Sequence, residues 1–325
     1  IGITRQGEWL TGNDPINAFE NESYEDLNPA VLMNKGNALT LMQVKDEILH
    51  AITDIDVIFP VLHGTFGEDG TIQGYFEMLD VAYVGAGVLG SSLGMDKGMC
   101  KDLMSHLDIP VLEYKVFTRQ EIATDIETTV LKAEKIAPYP LFVKPANLGS
   151  SVGISKAKNR QDLYKALELA AKYDRRIIVE RGINAREIEI SVLGNENPIV
   201  SSPGEVIPGD EFYSYDDKYI DGVAKTMVPA DLSEATIQRI QAMALQVYKS
   251  VDCAGMARVD FLIDKQTEEL FFSEINTIPG FTPISMFPKL FAHDGISYPE
   301  LIDRLIDLAL ERKADRDKTL RSTED

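Results

Sequence analysis

The stretch RVDFLIDKQTEELFFSEINTIPGFTPIS, residues 258–285, decides how the rest of the chain is read. Two apolar runs, residues 259–263 and 270–275, flank a polar segment, residues 264–269, which is the pattern of a β-hairpin. Side chains alternate between the faces of a strand, so Arg258 and Asp260 share one face. Glu274 and Asn276 share one face of the returning strand. With the turn centred near Thr267, Asp260 comes opposite Glu274 and Arg258 opposite Asn276. Two carboxylates and an amide then converge beside a guanidinium. Such an all-oxygen cluster suits Mg²⁺, which prefers carboxylates, waters and phosphates. Without a cation the two carboxylates would repel each other; the alternative is that Arg258 neutralises them in a purely structural site. Gly280 allows the backbone to approach a ligand closely, and Ser285 adds a hydroxyl.

The words ARVDF (257–261), EIN (274–276) and PGFT (279–282) resemble the ATP-grasp superfamily and, within it, the D-alanine–D-alanine ligase family. The residues themselves argue for a metal-binding hairpin. The resemblance implies the nucleotide and the reaction.

The composition narrows the class. At 325 residues the chain is long enough for two or three domains. With 44% hydrophobic and 26% charged residues it is an ordinary globular chain. The net charge of −20 disfavours a nucleic-acid partner, which requires basic surface, but a local cluster of lysines can still hold a small anion. Cys100 and Cys253 form no CxxC and no pattern of pairs, so neither a disulfide framework nor a zinc site is expected, and a reducing cytoplasm fits. No apolar run approaches the ~18 residues of a membrane span, and the opening IGITRQGEW lacks the pattern of a signal peptide.

Along the chain an α/β pattern emerges. Residues 1–95 are expected to form an incomplete N-terminal parallel-sheet domain. It begins in a strand at residues 1–4, with a turn at 5–7. A helix is expected over 36–51, with Leu39, Val44, Ile48 and Leu49 roughly on one face, and a buried parallel strand over 55–62. That strand runs into HGTFGEDG, residues 63–70, at the carboxyl end where α/β sheets gather ligands. His63 there is either a structural hydrogen-bonding residue or part of a site; the role of Glu68 stays open. A helix over 71–79, a short strand over 81–84 and a glycine-rich bend over 85–94 follow.

Residues 96–185 form a second unit. A helix is expected over 96–106, capped by Asp96. Lys97 in its first turn opposes the helix dipole, which points to a partner such as phosphate or to simple solvation. A strand over 114–118 and one helix over 119–136 lead to PLFVKPANLGSSVGI, residues 140–154. Lys144 lies in an apolar strand, 141–144, and a buried ammonium needs an anion. The loop behind it, with Gly149, Ser150, Ser151 and Gly153, offers N–H and hydroxyl donors but is no P-loop. A helix over 162–173 and the strand IIVE, 177–180, complete the unit.

The third unit, residues 186–325, begins with strands over 187–193 and 199–202. A long excursion, residues 205–222, is rich in Gly, Asp and Tyr, and its aromatic content argues against disorder. An amphipathic helix over 233–250, capped by Ser233, precedes the hairpin. A C-terminal helix over 298–310 and a mobile polar tail over 313–325 end the chain.

The resemblance extends from Ile1 to about residue 310, with the motifs in the family's order. It implies an ATP-grasp fold, with the N-terminal domain followed by two ATP-grasp subdomains. It also implies ATP-dependent joining of two D-alanines through an acylphosphate, for peptidoglycan precursors. KPxxxGSSxG at 144–153 is similar to the family's lid loop, and FYxYxxKY at 212–219 to its second loop. The roles this implies are catalytic for Arg258, Ser150, Tyr219 and Gly280, and substrate-binding for His63, Lys218 and Ser285. ATP would be bound by Lys97, Lys144, Ser151, Glu180, Arg181, Ile183, Glu187 and Phe212. Asp260, Glu274 and Asn276 would hold two Mg²⁺ or Mn²⁺ ions. Glu187 has a plainer reading, since EIEIS at 187–191 is also what a half-exposed strand looks like. The partners implied are ATP and D-alanine, with no nucleic acid or membrane, in a cytoplasmic homodimer.

The family carries a strand and a glutamate-bearing loop upstream of the point where this sequence opens, and the expectation is that this region precedes Ile1. Two other readings stay open. One is a D-alanine–D-lactate or D-alanine–D-serine ligase, although Tyr219 and SMFP at 285–288 resemble the D-alanine-selective form. The other is an ATP-binding module without ligase activity.

Overall fold

In the computed structural model the hairpin forms, with one irregularity between Asp260 and Phe261 that shifts its register by one residue. The structure describes residues 1–36, 38–149, 152–207, 225–282 and 284–320. Numbering elements along the chain, strands β16 (Met256–Asp264) and β17 (Leu270–Asn276) pair antiparallel, with Arg258 opposite Asn276 and Asp260 opposite Glu274. The turn is closed by Asp264, whose Oδ1 accepts from Gln266 N at 2.7 Å and Thr267 N at 3.2 Å, an Asx turn that a short acidic side chain makes with its own backbone.

The hairpin belongs to an antiparallel sheet ordered β15–β14–β12–β16–β17, with β12 at Ala185–Leu193, β14 at Gly204–Ile207 and β15 at Lys225–Met227. The short β13 (Ile199–Val200) also pairs with β12. One face is apolar: Ile188, Ile190, Val259, Phe261 and Phe272 bury against Ile240, Ala244, Val247 and Tyr248 of helix α8, Glu234–Ser250. Ser233 caps that helix, its Oγ accepting from Thr236 N at 3.2 Å. The other face carries Glu189, Arg258, Asp260, Glu274 and Asn276.

A second antiparallel sheet, β10–β9–β11–β8, comprises Ser155–Ala157, Leu141–Pro145, Arg176–Arg181 and Tyr114–Thr118. Leu141, Val143, Ile177 and Val179 pack on Leu163 and Leu167 of helix α7, Arg160–Tyr173. Alternation sends Lys144 and Glu180 to the opposite face. The single helix expected over 119–136 is two, α5 (Arg119–Thr124) and α6 (Ile126–Ala133). Asp125 leaves the helical backbone region between them (φ −154°, ψ 85°) and accepts from Thr128 N at 3.0 Å, so one acidic residue ends a helix and starts the next.

The N-terminal part corrects three expectations. Instead of the helix expected over 36–51, residues 38–55 are a hairpin, β4 (Ala38–Lys45) and β5 (Ile48–Ile55). Instead of a parallel sheet, the sheet β1–β2–β3–β4–β5 is antiparallel throughout. The first three strands of that sheet are Gly2–Ile3, Trp9–Thr11 and Asn28–Lys35, with a short helix α1 at Pro15–Glu20. Asp46 and Glu47 both hold positive φ, 52° and 62°, as a two-residue hairpin turn demands. β4 is buried on both faces, Leu39 and Leu41 on one and Thr40 and Met42 on the other, which blurs its period of two. The parallel strand expected over 55–62 is only β6, Val57–Ile58, paired with β7, Ala82–Tyr83; Pro60, lacking an N–H, lies just beyond it. The helix expected over 71–79 forms as α2, Thr71–Met78.

The expected bend over 85–94 holds helix α3, Val88–Met95. Its glycines serve packing, since a Cβ on Gly90 would come 2.7 Å from Asp252 O. Next come α4 (Lys97–His106), and near the C-terminus α9 (Met286–His293) and α10 (Tyr298–Arg316). The last of these overrides the polar tail expected from residue 313. Arg312 lies 4.1 Å from the Tyr83 ring centroid, Lys313 Nζ 3.1 Å from Asp80, and Arg316 2.6 Å from Glu77. Three basic side chains with fixed partners keep the helix ordered to Arg316.

Candidate active site

The polar face of the hairpin opens into a cleft of about 290 Å³. Its walls include His63, Glu68, Lys97, Gly149, Glu189, Arg258, Glu274, Asn276, Gly280 and Ser285. The cleft thus draws on strand ends, helix starts and loops that are far apart in sequence.

Arg258 is the hub. Its Nε and Nη2 donate to the two carboxylate oxygens of Asp260 at 2.8 and 2.7 Å. Nε also lies 3.1 Å from Oε2 of Glu189 on β12. Asn276 Nδ2 donates to Asp260 Oδ2 at 3.1 Å. Burial opposes charge on Arg258, but Asp260, then Glu189 and Glu274, more than compensate and raise its pKa well above the ordinary value. Lys97, first residue of α4, places its Nζ 3.1 Å from Glu274 Oε2 and donates to Leu148 O at 3.0 Å. Within the described residues the counter-charge of Lys97 is the acidic hairpin, in place of simple solvation. Asp96 caps α4 as expected, accepting from Met99 N at 2.9 Å.

The donor set is chemically right for a hard divalent cation: Asp260, Glu274 and the Asn276 amide oxygen stand on facing strands. Among the described residues no three of His, Cys, Asp and Glu converge into a metal cage. Mg²⁺ commonly takes one or two carboxylates and completes its octahedron with water and substrate phosphate, so the residues present fit a metal that arrives with a phosphate ligand.

At the far wall, His63 Nδ1 donates to Ile278 O at 3.0 Å. Glu68 accepts from Gly64 N at 2.7 Å and Ile278 N at 3.3 Å. Burial is the main cause that raises the pKa of Glu68, against the lowering effect of those N–H groups and His63. Together these bonds pin the 63–70 loop to the segment after β17. Gly280 lies against Ser285, whose Oγ accepts from Thr282 N at 3.1 Å and shares a hydrogen bond with Thr282 Oγ1 at 2.8 Å.

Lys144 and Glu180 form the neighbouring cluster on the second sheet. Lys144 Nζ donates to Glu180 Oε1, and Lys101 Nζ of α4 lies 3.2 Å from Glu180 Oε2. Burial alone would raise the Glu180 pKa; Lys101 and Lys144 overcome it and hold it down at about 2. Burial works against the charge on Lys144, and Glu180, Glu274 and Glu187 outweigh it, so its pKa is raised. Arg181 turns outward to Glu113 at 3.2 Å, and Ile183 lies in the connection between β11 and β12. Glu187 sits on β12 two residues before Glu189, on the same face, opposite Leu262.

The structure therefore brings together Lys97, Arg258, Asp260, Glu274, Asn276, Gly280, Ser285 and His63. It sets Lys144, Glu180 and Arg181 on the second sheet, Ile183 in the connection after it and Glu187 on β12, and none of the five lines the cleft. Ser150, Ser151, Phe212, Lys218 and Tyr219 lie outside the described residues. Sequence reasoning did not single out Lys101 or Glu189. Lys101 follows Lys97 by one helical turn, a spacing that puts both on one face, and Glu189 alternates with Glu187 in EIEIS; both signals were present.

Comparison with known proteins agrees with this geometry. Models described as the D-ala D-ala ligase N-terminus and C-terminus match residues 1–86 and 103–307. The D-alanine–D-alanine ligase of Chloroherpeton thalassium is 49% identical over 97% of this chain and 88% of its own length. That of Solibacter usitatus is 52% identical over 83% of this chain and 81% of its own. The solved D-alanine–D-alanine ligase of Coxiella burnetii superposes with a TM-score of 0.81 at 34% identity, covering 97% of this chain and 85% of that one. The VanG D-Ala:D-Ser ligase of Enterococcus faecalis superposes with 0.82 at 36%, covering 95% and 88%. With both family models matched and relatives this similar along nearly all of its length, the chain belongs to the D-alanine–D-alanine ligase family, with the ATP-grasp fold.

Proposed function

We propose that the chain joins two D-alanines into D-alanyl-D-alanine, using ATP. The observation that carries this reading is the convergence of Lys97 on Glu274, 3.1 Å away, beside the Arg258–Asp260 pair. That is where a charged phosphoryl group would need both cations and a metal-compatible carboxylate face.

A carboxylate is a poor acyl donor because oxide would have to leave. In the proposed reaction a carboxylate oxygen of the first D-alanine bonds to the γ-phosphorus of ATP, and the bond from that phosphorus to the β-bridging oxygen breaks. ADP leaves with the electron pair. The amine of the second D-alanine then attacks the acyl carbon, loses a proton, and inorganic phosphate departs. Asp260, Glu274 and Asn276 would hold Mg²⁺ or Mn²⁺, as two ions, which when bound neutralise phosphate charge.

Each residue answers a charge. Lys97, Lys144 and Lys218 spread the negative charge of the phosphates. Arg258 and the Gly280 N–H stabilise the tetrahedral oxyanion; losing one such donor typically costs ~10²–10³ in rate. His63 orients the first D-alanine, and Ser285 with Lys218 holds the carboxylate of the second. Ser151, Phe212, Glu180, Arg181, Ile183 and Glu187 would contact the nucleotide, as the family resemblance implies. The loops bearing Ser150 and Tyr219 exclude water, which would hydrolyse the acylphosphate.

The test is phosphate release from ATP with D-alanine, L-alanine, or D-alanine plus D-serine or D-lactate, with products weighed by mass spectrometry. D-alanine-dependent release yielding the dipeptide is expected. A mixed D-alanyl-D-serine product would favour a specificity like that in the name of the Enterococcus faecalis neighbour. ATP binding with no D-alanine-dependent release would sink the ligase reading and leave a nucleotide-binding module. The same proposal carries a homodimer and a cytoplasmic location, supported by family resemblance and by two unpaired, buried cysteines. Among the described residues no helix is long and apolar enough to cross a membrane.

A further inference from the structure

Lys101 is the most buried lysine of the nucleotide region, 2% exposed, and it does not line the cleft. A buried ammonium costs free energy unless an anion accompanies it. Its partner is Glu180 Oε2 at 3.2 Å, while Lys144 occupies Oε1 of the same carboxylate. Glu180 is itself 3% exposed. One carboxylate is thus shared by two ammonium groups from different elements, α4 and β9.

The charge count at this cluster has a consequence. Lys144 and Glu180 alone would sum to zero, and Glu187, which also acts on Lys144, would make its surroundings more negative. A phosphate group approaching Lys144 would gain no net attraction from that pair. Lys101 turns the triad from neutral to a net positive unit. It is also fixed to Lys97 by one helical turn, so a single helix carries one lysine to the acidic hairpin and another to Glu180.

We propose that Lys101 is a positioning residue for the nucleotide: its ammonium balances the charge of Glu180 and so leaves the charge of Lys144 available to phosphate. This rests on the reading that the cleft binds ATP. A purely structural Lys101, balancing Glu180 and nothing more, would affect all ligands of the folded protein alike.

The test uses the whole chain and four proteins: unaltered, Lys101→Met, Glu180→Gln, and the double variant. Calorimetry measures the affinity of each for ATP and for adenosine, which lacks phosphate. The ATP-to-adenosine affinity ratio isolates the phosphate contribution from contacts to the base. Lys101→Met should lower that ratio by about tenfold or more, the scale of one unit charge a few Å away. Glu180→Gln should raise it, and the double variant, with the net charge restored, should return it to near the unaltered value. A ratio unchanged in Lys101→Met, or a double variant as low as Lys101→Met, overturns the proposal. If Lys101→Met does not fold, the ratio of Glu180→Gln must still exceed that of the double variant, and equality overturns it. An unaltered chain that binds no ATP overturns the nucleotide reading itself, an outcome distinct from the others.

Discussion

Lys97 Nζ stands 3.1 Å from Glu274 Oε2, joining the first turn of a helix to the end of a strand 177 residues later. Across the sheet Arg258 holds Asp260 by both carboxylate oxygens. Both carboxylates proposed as metal ligands are thus already compensated by cations of the chain.

That compensation predicts a split response to metal removal. Chelation of divalent ions should abolish ligase turnover and leave the melting temperature of the nucleotide-free protein unchanged, because Lys97 and Arg258 neutralise the acidic face in their absence. Asp260→Asn should lower phosphate release by ~10²–10³ at saturating Mg²⁺. Thermal melts with and without chelator, beside a phosphate-release assay, check both; a large drop in melting temperature on chelation of the nucleotide-free chain would contradict the argument.

Gly280→Ala should act through Ser285. A Cβ at position 280 would lie 2.7 Å from Ser285 Oγ, too close for either to stay. The hydroxyl would lose its bonds to Thr282. The expected result is a KM for the second D-alanine raised by about tenfold, the cost of one displaced polar contact. Ser285→Ala should give a similar rise, and steady-state kinetics at fixed ATP compare them.

The C-terminal helix should behave as a clasp on α2 and the turn that follows it. Arg316 pairs with Glu77 at 2.6 Å and Asp80 at 3.0 Å, with only 17% of its side chain exposed. Arg316→Ala should cost about 1–2 kcal/mol, more than an exposed pair and less than a fully buried one. Denaturant unfolding measures it. A change below a few tenths of a kcal/mol would mean these pairs contribute no order to the helix end.

Glu180 predicts an acid dependence with a definite sign. Its folded-state pKa of about 2 lies below the ordinary 4.5. Such a group contributes stability above pH about 4.5 and loses it as pH falls towards 2. Glu180→Gln should therefore be less stable than the unaltered chain at pH 7, by about 3–5 kcal/mol, since two ammonium groups lose their counter-charge. The deficit should shrink between pH 4.5 and 2, and melting curves across that window test it. A deficit that stayed constant would remove Glu180 as its source.

The hairpin and its acidic face were legible in the sequence because strand alternation is local, but Asp260 meets Glu274 only through the irregularity between Asp260 and Phe261, which shifts the pairing by one residue. Motif resemblance then carried the family and the reaction class. The helix expected over 36–51 gives way to the 38–55 hairpin because β4 is buried on both faces, which leaves no clean period of two for β4 to display. Likewise the end of α10 looked like a mobile tail because its partners, Glu77, Asp80 and Tyr83, come from the other end of the chain. Periodicity alone determined which face of each site strand is polar. Only the tertiary fold decided that Lys97 reaches Glu274, that Glu189 joins Arg258, and that Lys101 and Lys144 share Glu180. Charges choose partners by distance in space, and that distance is set by the packing of apolar faces that the polar residues do not themselves encode.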